Sequence, residues 1–165
     1  MSIRLAKLGD LNEIVKIYNQ AVIRGNATAD LEIFSVESKL SWFEFHQNNE
    51  QKYPIFIYEI DNKCVGWISI SSYREGRKAL ELTVEISYYI NNDNQKQGIG
   101  KELVDYVINY SKKIGYKNLL AIVLSTNTPS IKLLNNLDFS QWANLPNVAI
   151  INEEEISHLY FGIKL

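Results

Sequence analysis

The sequence predicts an α+β fold in which helices pack against a mixed β-sheet. Segments with the apolar spacing of helices alternate with short apolar runs typical of strands along the whole chain. Hydrophobic residues make up 46% of the 165 residues, which is enough for one sizeable core. No linker or internal repeat divides the chain, so a single domain is expected over residues 1–165.

The first half of the chain is expected to contain a strand, two helices and a β-hairpin. Asp10 is suited to cap a helix, and Leu11 and Tyr18 belong to an apolar series that follows it at helical spacing. Asp61 and Asn62 form a turn between two apolar runs, which predicts the hairpin. The expected elements are a strand at 3–6, a helix after Asp10, a helix at about 36–47, and strands at 55–60 and 64–71.

The second half is expected to alternate strands with helices. Gly98 opens a helix whose end is marked by Gly115, and Pro129 lies in the first turn of another, where its missing N–H is harmless. The expected elements are strands at 80–90, 119–124, 139–142 and 158–164, and helices at 98–114 and 128–137. The predicted order is therefore β-α-α-β-β-β-α-β-α-β-β.

Composition and charge exclude several classes of function. The chain has 17 basic and 19 acidic residues and no basic cluster, so nucleic acid is not an expected partner. The N-terminus lacks a signal core and no apolar run approaches the length of a membrane span, so a cytoplasmic protein without membrane contact is expected. Cys64 is the one cysteine, and His46 and His158 lie far apart in sequence, so no metal site is expected.

The strongest local motif is Gln-Lys-Gln-Gly-Ile-Gly-Lys at residues 95–101, between a predicted strand and a predicted helix. Glycine allows the backbone to approach a ligand closely. The N-terminus of the following helix offers free N–H groups and the positive end of the helix dipole, which suit an anion such as a pyrophosphate. Taken alone, the motif is equally compatible with a plain turn before a helix.

A second motif, read together with residues 95–101, indicates a specific protein family. Asn127 and Ser130 begin a predicted helix that ends in Leu-Asp-Phe at residues 137–139. Together with residues 95–101, this pattern resembles the acetyl-CoA-binding elements of the GNAT acetyltransferases. Shorter matches along nearly the whole chain, among them Thr-Val-Glu at 83–85, resemble one branch of that family, the phosphinothricin and methionine sulfoximine N-acetyltransferases.

The resemblance implies a GNAT fold, which is a mixed, mostly antiparallel sheet with a central splay, and acetyl-CoA as co-substrate without a metal. Amides of residues 96–101 would bind the pyrophosphate, and the backbone of residues 88–90 would pair with the pantetheine arm. Asn127 would contact that arm, cap a helix, or do both. The implied acetyl-CoA-binding residues are Tyr88, Tyr89, Ile90, Gln95, Lys96, Gln97, Gly98, Ile99, Gly100, Lys101, Asn127 and Ser130.

Glu85 is predicted to be the catalytic base. It lies among apolar neighbours in a predicted strand, where a lone carboxylate is out of place. It would share one strand face with Ser87 and Tyr89, and partial burial of this face would raise its pKa towards neutrality. The alternatives are that Glu85 is a salt-bridged residue on a solvated face, or that Glu81 is the base.

The loop before this strand contains candidate substrate-binding residues. The resemblance implies that Tyr73 and Arg74, together with Glu85, bind the acceptor, because the branch has an aromatic–arginine pair at this place. A guanidinium can hold a carboxylate with two parallel hydrogen bonds. Arg74 could equally be a solvated loop residue, and Arg77 and Lys78 are alternates for the same role.

Two residues depart from the family pattern. Leu134 stands where many relatives have Tyr or His, the side chain proposed to protonate the leaving thiolate, so a water, another tyrosine or no acid at all would have to serve. Asp138 replaces the usual glycine. Aspartate tolerates left-handed dihedral angles better than most residues, so we expect the turn to survive.

The expected function is transfer of acetyl from acetyl-CoA to the amine of a small amino-acid-like molecule of the phosphinothricin or methionine sulfoximine type. Acetylation of a protein N-terminus or lysine, and acyl-CoA binding without catalysis, remain as alternatives. A homodimer is also expected, because the branch resembles two-fold dimers and because residues 145–151 form an apolar segment. That segment is expected to be an exposed irregular loop.

Overall fold

The computed structural model describes all 165 residues and contains one seven-stranded sheet and four α-helices. The strands are β1 (Ser2–Leu5), β2 (Ile55–Ile60), β3 (Lys63–Ser72), β4 (Thr83–Ile90), β5 (Asn118–Leu124), β6 (Ser140–Ile151) and β7 (Glu154–Lys164). The helices are α1 (Leu11–Arg24), α2 (Leu40–Asn48), α3 (Ile99–Ile114) and α4 (Thr128–Asn135). The order of these elements is the predicted one.

The sheet opens at its centre. Its strand order is β1-β2-β3-β4-β5-β7-β6, and neighbouring strands are antiparallel except for β4 and β5, which run parallel. β4 pairs with β5 only at residues 83–85, opposite residues 118–120. Residues 86–90 of β4 pair with β3 on one side and have no strand partner on the other. The mixed, mostly antiparallel sheet with a central splay is therefore confirmed.

Helices cover both faces of the sheet, and each face has its own core. On one face, α1 and α2 pack in a cluster that contains Ile14, Phe43 and Trp67. On the other face, α3 and α4 pack in a larger cluster that contains Leu103 and Leu134. Because successive residues of a strand point to opposite faces, alternate residues of β4 meet different helices.

The C-terminal hairpin corrects one prediction. Residues 145–151, which were expected to be an irregular loop, belong to β6 and pair with β7, although the register shifts around Pro146. A proline is tolerated here because β6 is the edge strand and one side of its backbone has no neighbour to bond. Val148 and Ile150 still expose 57% and 67% of their surface, so the segment is apolar and exposed although it is not a loop.

Smaller differences concern the ends of elements. β4 begins at Thr83 rather than at residue 80, because residues 78–80 form a 3-10 turn. Asp138 adopts the left-handed conformation with φ 63°, which confirms that this aspartate can take the place of glycine in the turn after α4. None of the helices combines the length and the apolar character that crossing a membrane would require.

Candidate active site

A cavity of about 340 Å³ lies where β4 and β5 separate, and we call it the splay cavity. Its wall contains eleven of the twelve residues that the sequence predicts to bind acetyl-CoA, namely Tyr88, Tyr89, Ile90, Gln95, Lys96, Gly98, Ile99, Gly100, Lys101, Asn127 and Ser130. Gln97 is the predicted residue that does not line the cavity, and its side-chain amide donates to the Asp93 carbonyl instead. Another part of the wall, which includes Ala21, Arg24 and Ala27, carries no motif that predicts it from the sequence.

The glycine motif forms the start of α3 at the edge of the splay cavity. Gly98 caps the helix with φ 86°, a left-handed conformation that favours glycine. An added Cβ at this position would meet nothing within 4 Å, so the backbone conformation is what requires glycine here. The amides of residues 99–101 begin the helix and have no helical carbonyl to bond, which makes this wall suited to an anion.

The start of α4 forms the facing wall. Asn127 caps this helix, because its Oδ1 accepts the Ser130 N–H at 3.3 Å. The Ser130 hydroxyl forms a hydrogen bond with the Tyr88 hydroxyl. Burial raises the pKa of Tyr88 to about 12, so this phenol stays protonated at neutral pH. Leu134, further along α4, is fully buried in the core and has no proton to donate.

A second cavity, of about 150 Å³, borders the opposite face of β4, and we call it the aromatic cavity. Its wall consists of Ile14, Val15, Tyr18, Lys39, Trp42, Trp67, Ser69, Ser71, Ser87 and Tyr89. The contributions of β3 and β4 pair in register, with Trp67 opposite Tyr89 and Ser69 opposite Ser87. Tyr89 lines both cavities, so the two adjoin along β4.

Glu85 does not line the aromatic cavity itself but extends the row of Ser87 and Tyr89 along the same face of β4. It pairs in register with Ser71, and strand alternation gives it the same face as Ser87 and Tyr89. The side chain is half-buried, and burial alone raises the pKa of its carboxyl above the ordinary value. Its carboxylate has no salt-bridge partner, so the salt-bridged alternative is wrong. The rival Glu81 is exposed before β4 begins.

The other predicted substrate-binding residues lie apart from this group. Tyr73 and Arg74 are in the loop between β3 and β4, and neither lines the splay cavity or the aromatic cavity. Arg74 is exposed, and its guanidinium carbon lies 5.4 Å from the centre of the Tyr73 ring. The alternates Arg77 and Lys78 are exposed in the same loop.

Most of the aromatic cavity was not predicted from the sequence, although one signal was present in it. Along β3, Trp67, Ser69 and Ser71 alternate with buried isoleucines, so a polar face could have been predicted beside the strand of Glu85. Lys39 and Trp42 come from the region where α2 begins, and no local pattern connects them with β3. Their place in the cavity depends on the tertiary fold.

Comparison with known protein families gives the decisive observation. Residues 3–160 match the family described as the Acetyltransferase (GNAT) domain. The chain belongs to the GNAT acetyltransferase family. The resemblance drawn from the motifs at 95–101 and 127–130 is thereby confirmed, and it extends over nearly the whole sequence.

Two similar proteins indicate the branch of the GNAT family to which this chain is related. YwnH of Bacillus subtilis (strain 168), which is named as a phosphinothricin acetyltransferase, is 32% identical over 150 residues, 90% of each chain. The L-methionine sulfoximine/L-methionine sulfone acetyltransferase of Salmonella typhimurium is 29% identical over 150 residues, 91% of this chain and 86% of the relative.

A solved relative also bears on the co-substrate. The structure of the acetyltransferase yncA from Salmonella typhimurium, with its cofactor acetyl-CoA, matches with a TM-score of 0.92 and 27% identity. The match covers 100% of this chain and 94% of the other. Acetyl-CoA is therefore the co-substrate of this GNAT family. No group of three or more His, Cys, Asp or Glu side chains converges in the structure.

Proposed function

We propose that the protein transfers acetyl from acetyl-CoA to the amine of a small amino-acid-like acceptor of the phosphinothricin or methionine sulfoximine type. The position of Glu85 supports this proposal most strongly. Glu85 is a half-buried carboxylate without a salt-bridge partner, on a strand that borders one cavity with each of its faces. The names of the relatives supply the acceptor class.

The splay cavity has the features that acetyl-CoA requires. The free amides of residues 99–101 suit the pyrophosphate, with Lys96 and Lys101 in the same wall. The unpaired edge of β4 suits the pantetheine arm, which can add to it as an extra strand does. When bound there, acetyl-CoA supplies the thioester from which the acetyl group is transferred.

The backbone hydrogen bonds between β3 and β4 show which N–H groups of β4 point into the splay. The Asn91 N–H donates to the Val65 carbonyl of β3, and the N–H groups of successive strand residues point to opposite sides. Counting back along the strand, the N–H of Tyr88 points away from β3 and into the splay. In our mechanism this N–H donates to the carbonyl oxygen of the acetyl group as negative charge develops on it.

Before the amine attacks, Glu85 acts as the general base. It accepts a proton from the acceptor ammonium through a bridging water, and the neutral amine attacks the thioester carbonyl. The raised pKa of Glu85 makes it a better proton acceptor than an exposed carboxylate. Tyr88 lines the splay cavity and its hydroxyl stays protonated, so in our mechanism it donates a proton to the departing thiolate. The surplus proton on the nitrogen of the new amide then restores the Tyr88 phenol through water.

The deciding experiment measures release of free CoA thiol from acetyl-CoA with the purified protein. Amino acids, L-methionine sulfone, L-methionine sulfoximine and phosphinothricin serve as acceptors, and peptides with a free N-terminus or a lysine serve as rivals. We expect turnover with at least one small amino-acid analogue. Turnover with peptides alone would assign the protein to the protein acetyltransferases. Acetyl-CoA binding without any turnover would indicate an acyl-CoA-binding module.

We further propose that the protein is a cytoplasmic homodimer. The edge strand β6 supports dimerisation, because it exposes Leu145, Val148 and Ile150 in one segment together with an unpaired backbone edge. Exposed apolar edge strands tend to pair with another chain, and a two-fold dimer covers the same segment in both copies.

A further inference from the structure

Lys39 brings an unpaired positive charge into the wall of the aromatic cavity. It is half-buried and ends the 3-10 turn before α2. Its ammonium lies 3.6 Å from the centre of the Phe34 ring and 5.2 Å from that of the Tyr18 ring. The ion pairs of the chain join Arg4 to two carboxylates and pair two other lysines, and they leave Lys39 without a carboxylate.

The two aromatic rings satisfy this charge only in part. A ring face attracts a cation but accepts none of its hydrogen bonds in the way an oxygen does, and an ammonium has three donors to place. Asp30 is not the missing partner, because it accepts a hydrogen bond from the Tyr18 hydroxyl and forms no ion pair with Lys39. A half-buried cation in this state favours an anion brought in by a ligand.

We propose that Lys39 binds the anionic group of the acceptor and thereby makes the aromatic cavity a site for compact zwitterions. The acceptor presents its amine to Glu85 and its carboxylate or equivalent anion to Lys39, and its body packs against Trp42 and Trp67. This inference rests on the proposed function, because it takes the acceptor amine to be the group that loses its proton to Glu85.

The size and charge of the cavity fit this class of molecule. About 150 Å³ holds roughly ten non-hydrogen atoms, since one water needs about 10–15 Å³ on the same measure. Lys39 contributes an ammonium to the wall, and Glu85 places a carboxylate beside it, opposite the wall residue Ser71. Together they match one anion and one amine. Simple amines have no anionic group to bind Lys39, and amides of amino acids have none either. The protein should therefore prefer a free amino acid over its amide.

Kinetics with matched acceptors test the role of Lys39. L-Methionine sulfone and its primary amide are compared for wild type, Lys39→Met and Lys39→Arg. Lys39→Met keeps a long apolar side chain against Phe34 and removes the charge. We expect it to raise the KM for the acid by about tenfold to a hundredfold, the range of one charge-assisted hydrogen bond, and to leave the KM for acetyl-CoA unchanged. Lys39→Arg should restore most of the loss.

The acid-to-amide preference is the decisive readout. In wild type the acid should be acetylated at the lower concentration, and in Lys39→Met the two acceptors should become equivalent. Lys63→Met removes an exposed lysine at the start of β3 and should change neither the KM for the acid nor the KM for the amide. Arg74→Ala runs in parallel. If Arg74→Ala abolishes the preference and Lys39→Met preserves it, the anion site is Arg74 and our assignment is overturned.

A binding measurement separates this inference from the proposed function. Two of the three tryptophans line the aromatic cavity, so in a Trp142→Phe background the fluorescence of Trp42 and Trp67 reports occupancy. Titration with L-methionine sulfone should give tighter binding than titration with the amide, and Lys39→Met should abolish that difference. Binding of this kind without acetyl transfer would reject the proposed function and keep the Lys39 site. If the acid leaves the fluorescence unchanged at all concentrations, the site does not exist.

Discussion

Replacement of Glu85 by glutamine isolates the proposed proton acceptor from the fold around it. Glutamine has almost the same shape but cannot accept the proton of an ammonium. Because the Glu85 carboxylate has no salt-bridge partner, the substitution breaks no ion pair. The side chain also lies on the strand face opposite to Tyr88, so binding of acetyl-CoA in the splay cavity should be preserved.

The expected loss of activity follows from the role of a general base. Such a group contributes about 10²–10⁴-fold to the rate, so kcat/KM of Glu85→Gln should fall by about that factor. In wild type, kcat/KM should rise with pH through the pKa of Glu85, which burial places above the ordinary value of 4.5. This rise should be missing in the variant.

The same pKa shift gives a prediction of opposite sign for stability. Below the ordinary pKa the carboxyl is protonated in the folded and the unfolded state, and it costs nothing. Above the raised pKa the folded state holds a half-buried charge, so wild type loses stability as the pH rises through this range. The neutral glutamine avoids this loss. Glu85→Gln should therefore melt at the same temperature as wild type or higher at pH 7.

Two assays across pH 4 to 8, thiol release and thermal unfolding, test these expectations together. The control is Glu81→Gln, which alters an exposed glutamate just before the same strand and should leave both curves unchanged. Activity of Glu85→Gln within tenfold of wild type at every pH would refute the assignment. Lost activity with a lower melting temperature at pH 7 would instead identify a folding defect.

Three further predictions address other parts of the molecule. Gly98→Ala forces a left-handed φ on an L-residue, which costs about 1–2 kcal/mol. Its thermal stabilisation by acetyl-CoA should shrink, whereas Gly9→Ala, where a Cβ meets nothing and φ is not positive, should behave as wild type. Tyr88→Phe should lower kcat by about tenfold or more at an unchanged KM for the acceptor if its hydroxyl donates the final proton; an unchanged kcat in a stopped-flow assay would remove Tyr88 from the mechanism. Val148→Asp should shift a dimer towards monomer in sedimentation, whereas Ile23→Asp, at a more exposed site on α1, should not; a wild type that sediments as a monomer would exclude the dimer.

The order of elements was predictable because each element carries its own local signal. Period-two and helical spacing, with Gly115 and Pro129 at helix ends, depend on few residues at a time. The error at residues 145–151 has a physical reason. β6 is an edge strand that exposes apolar residues and contains Pro146, so it lacks the alternation of a half-buried strand. Its extended form depends on pairing with β7, which sequence periodicity does not report.

The two cavities differed in how far sequence could predict them. Half of the residues that line the splay cavity come from two contiguous motifs, at 95–101 and 127–130. Glycine and asparagine in these motifs indicate a left-handed turn and a helix cap directly from the sequence. The aromatic cavity is assembled from α1, the start of α2, β3 and β4. Lys39 shows why the sequence does not predict the aromatic cavity, because in sequence it is one lysine in a polar stretch. Only the fold brings its charge beside aromatic rings and leaves it without a partner.

The central splay explains how a single strand can serve both substrates. On the unpaired side of β4 the backbone N–H and C=O groups of alternate residues are free for one ligand. On the opposite face, Ser87 lines the aromatic cavity and Glu85 lies beside it, while Tyr89 borders both cavities. Pairing with β5 along the full strand would cover the backbone edge and close the route between the cavities. Substitutions at odd-numbered positions 85 and 87 should therefore act mainly on the acceptor. Substitutions at even-numbered positions 88 and 90, which line the splay cavity, should act mainly on acetyl-CoA. The KM for the acceptor and the KM for acetyl-CoA should therefore respond to different positions of one strand.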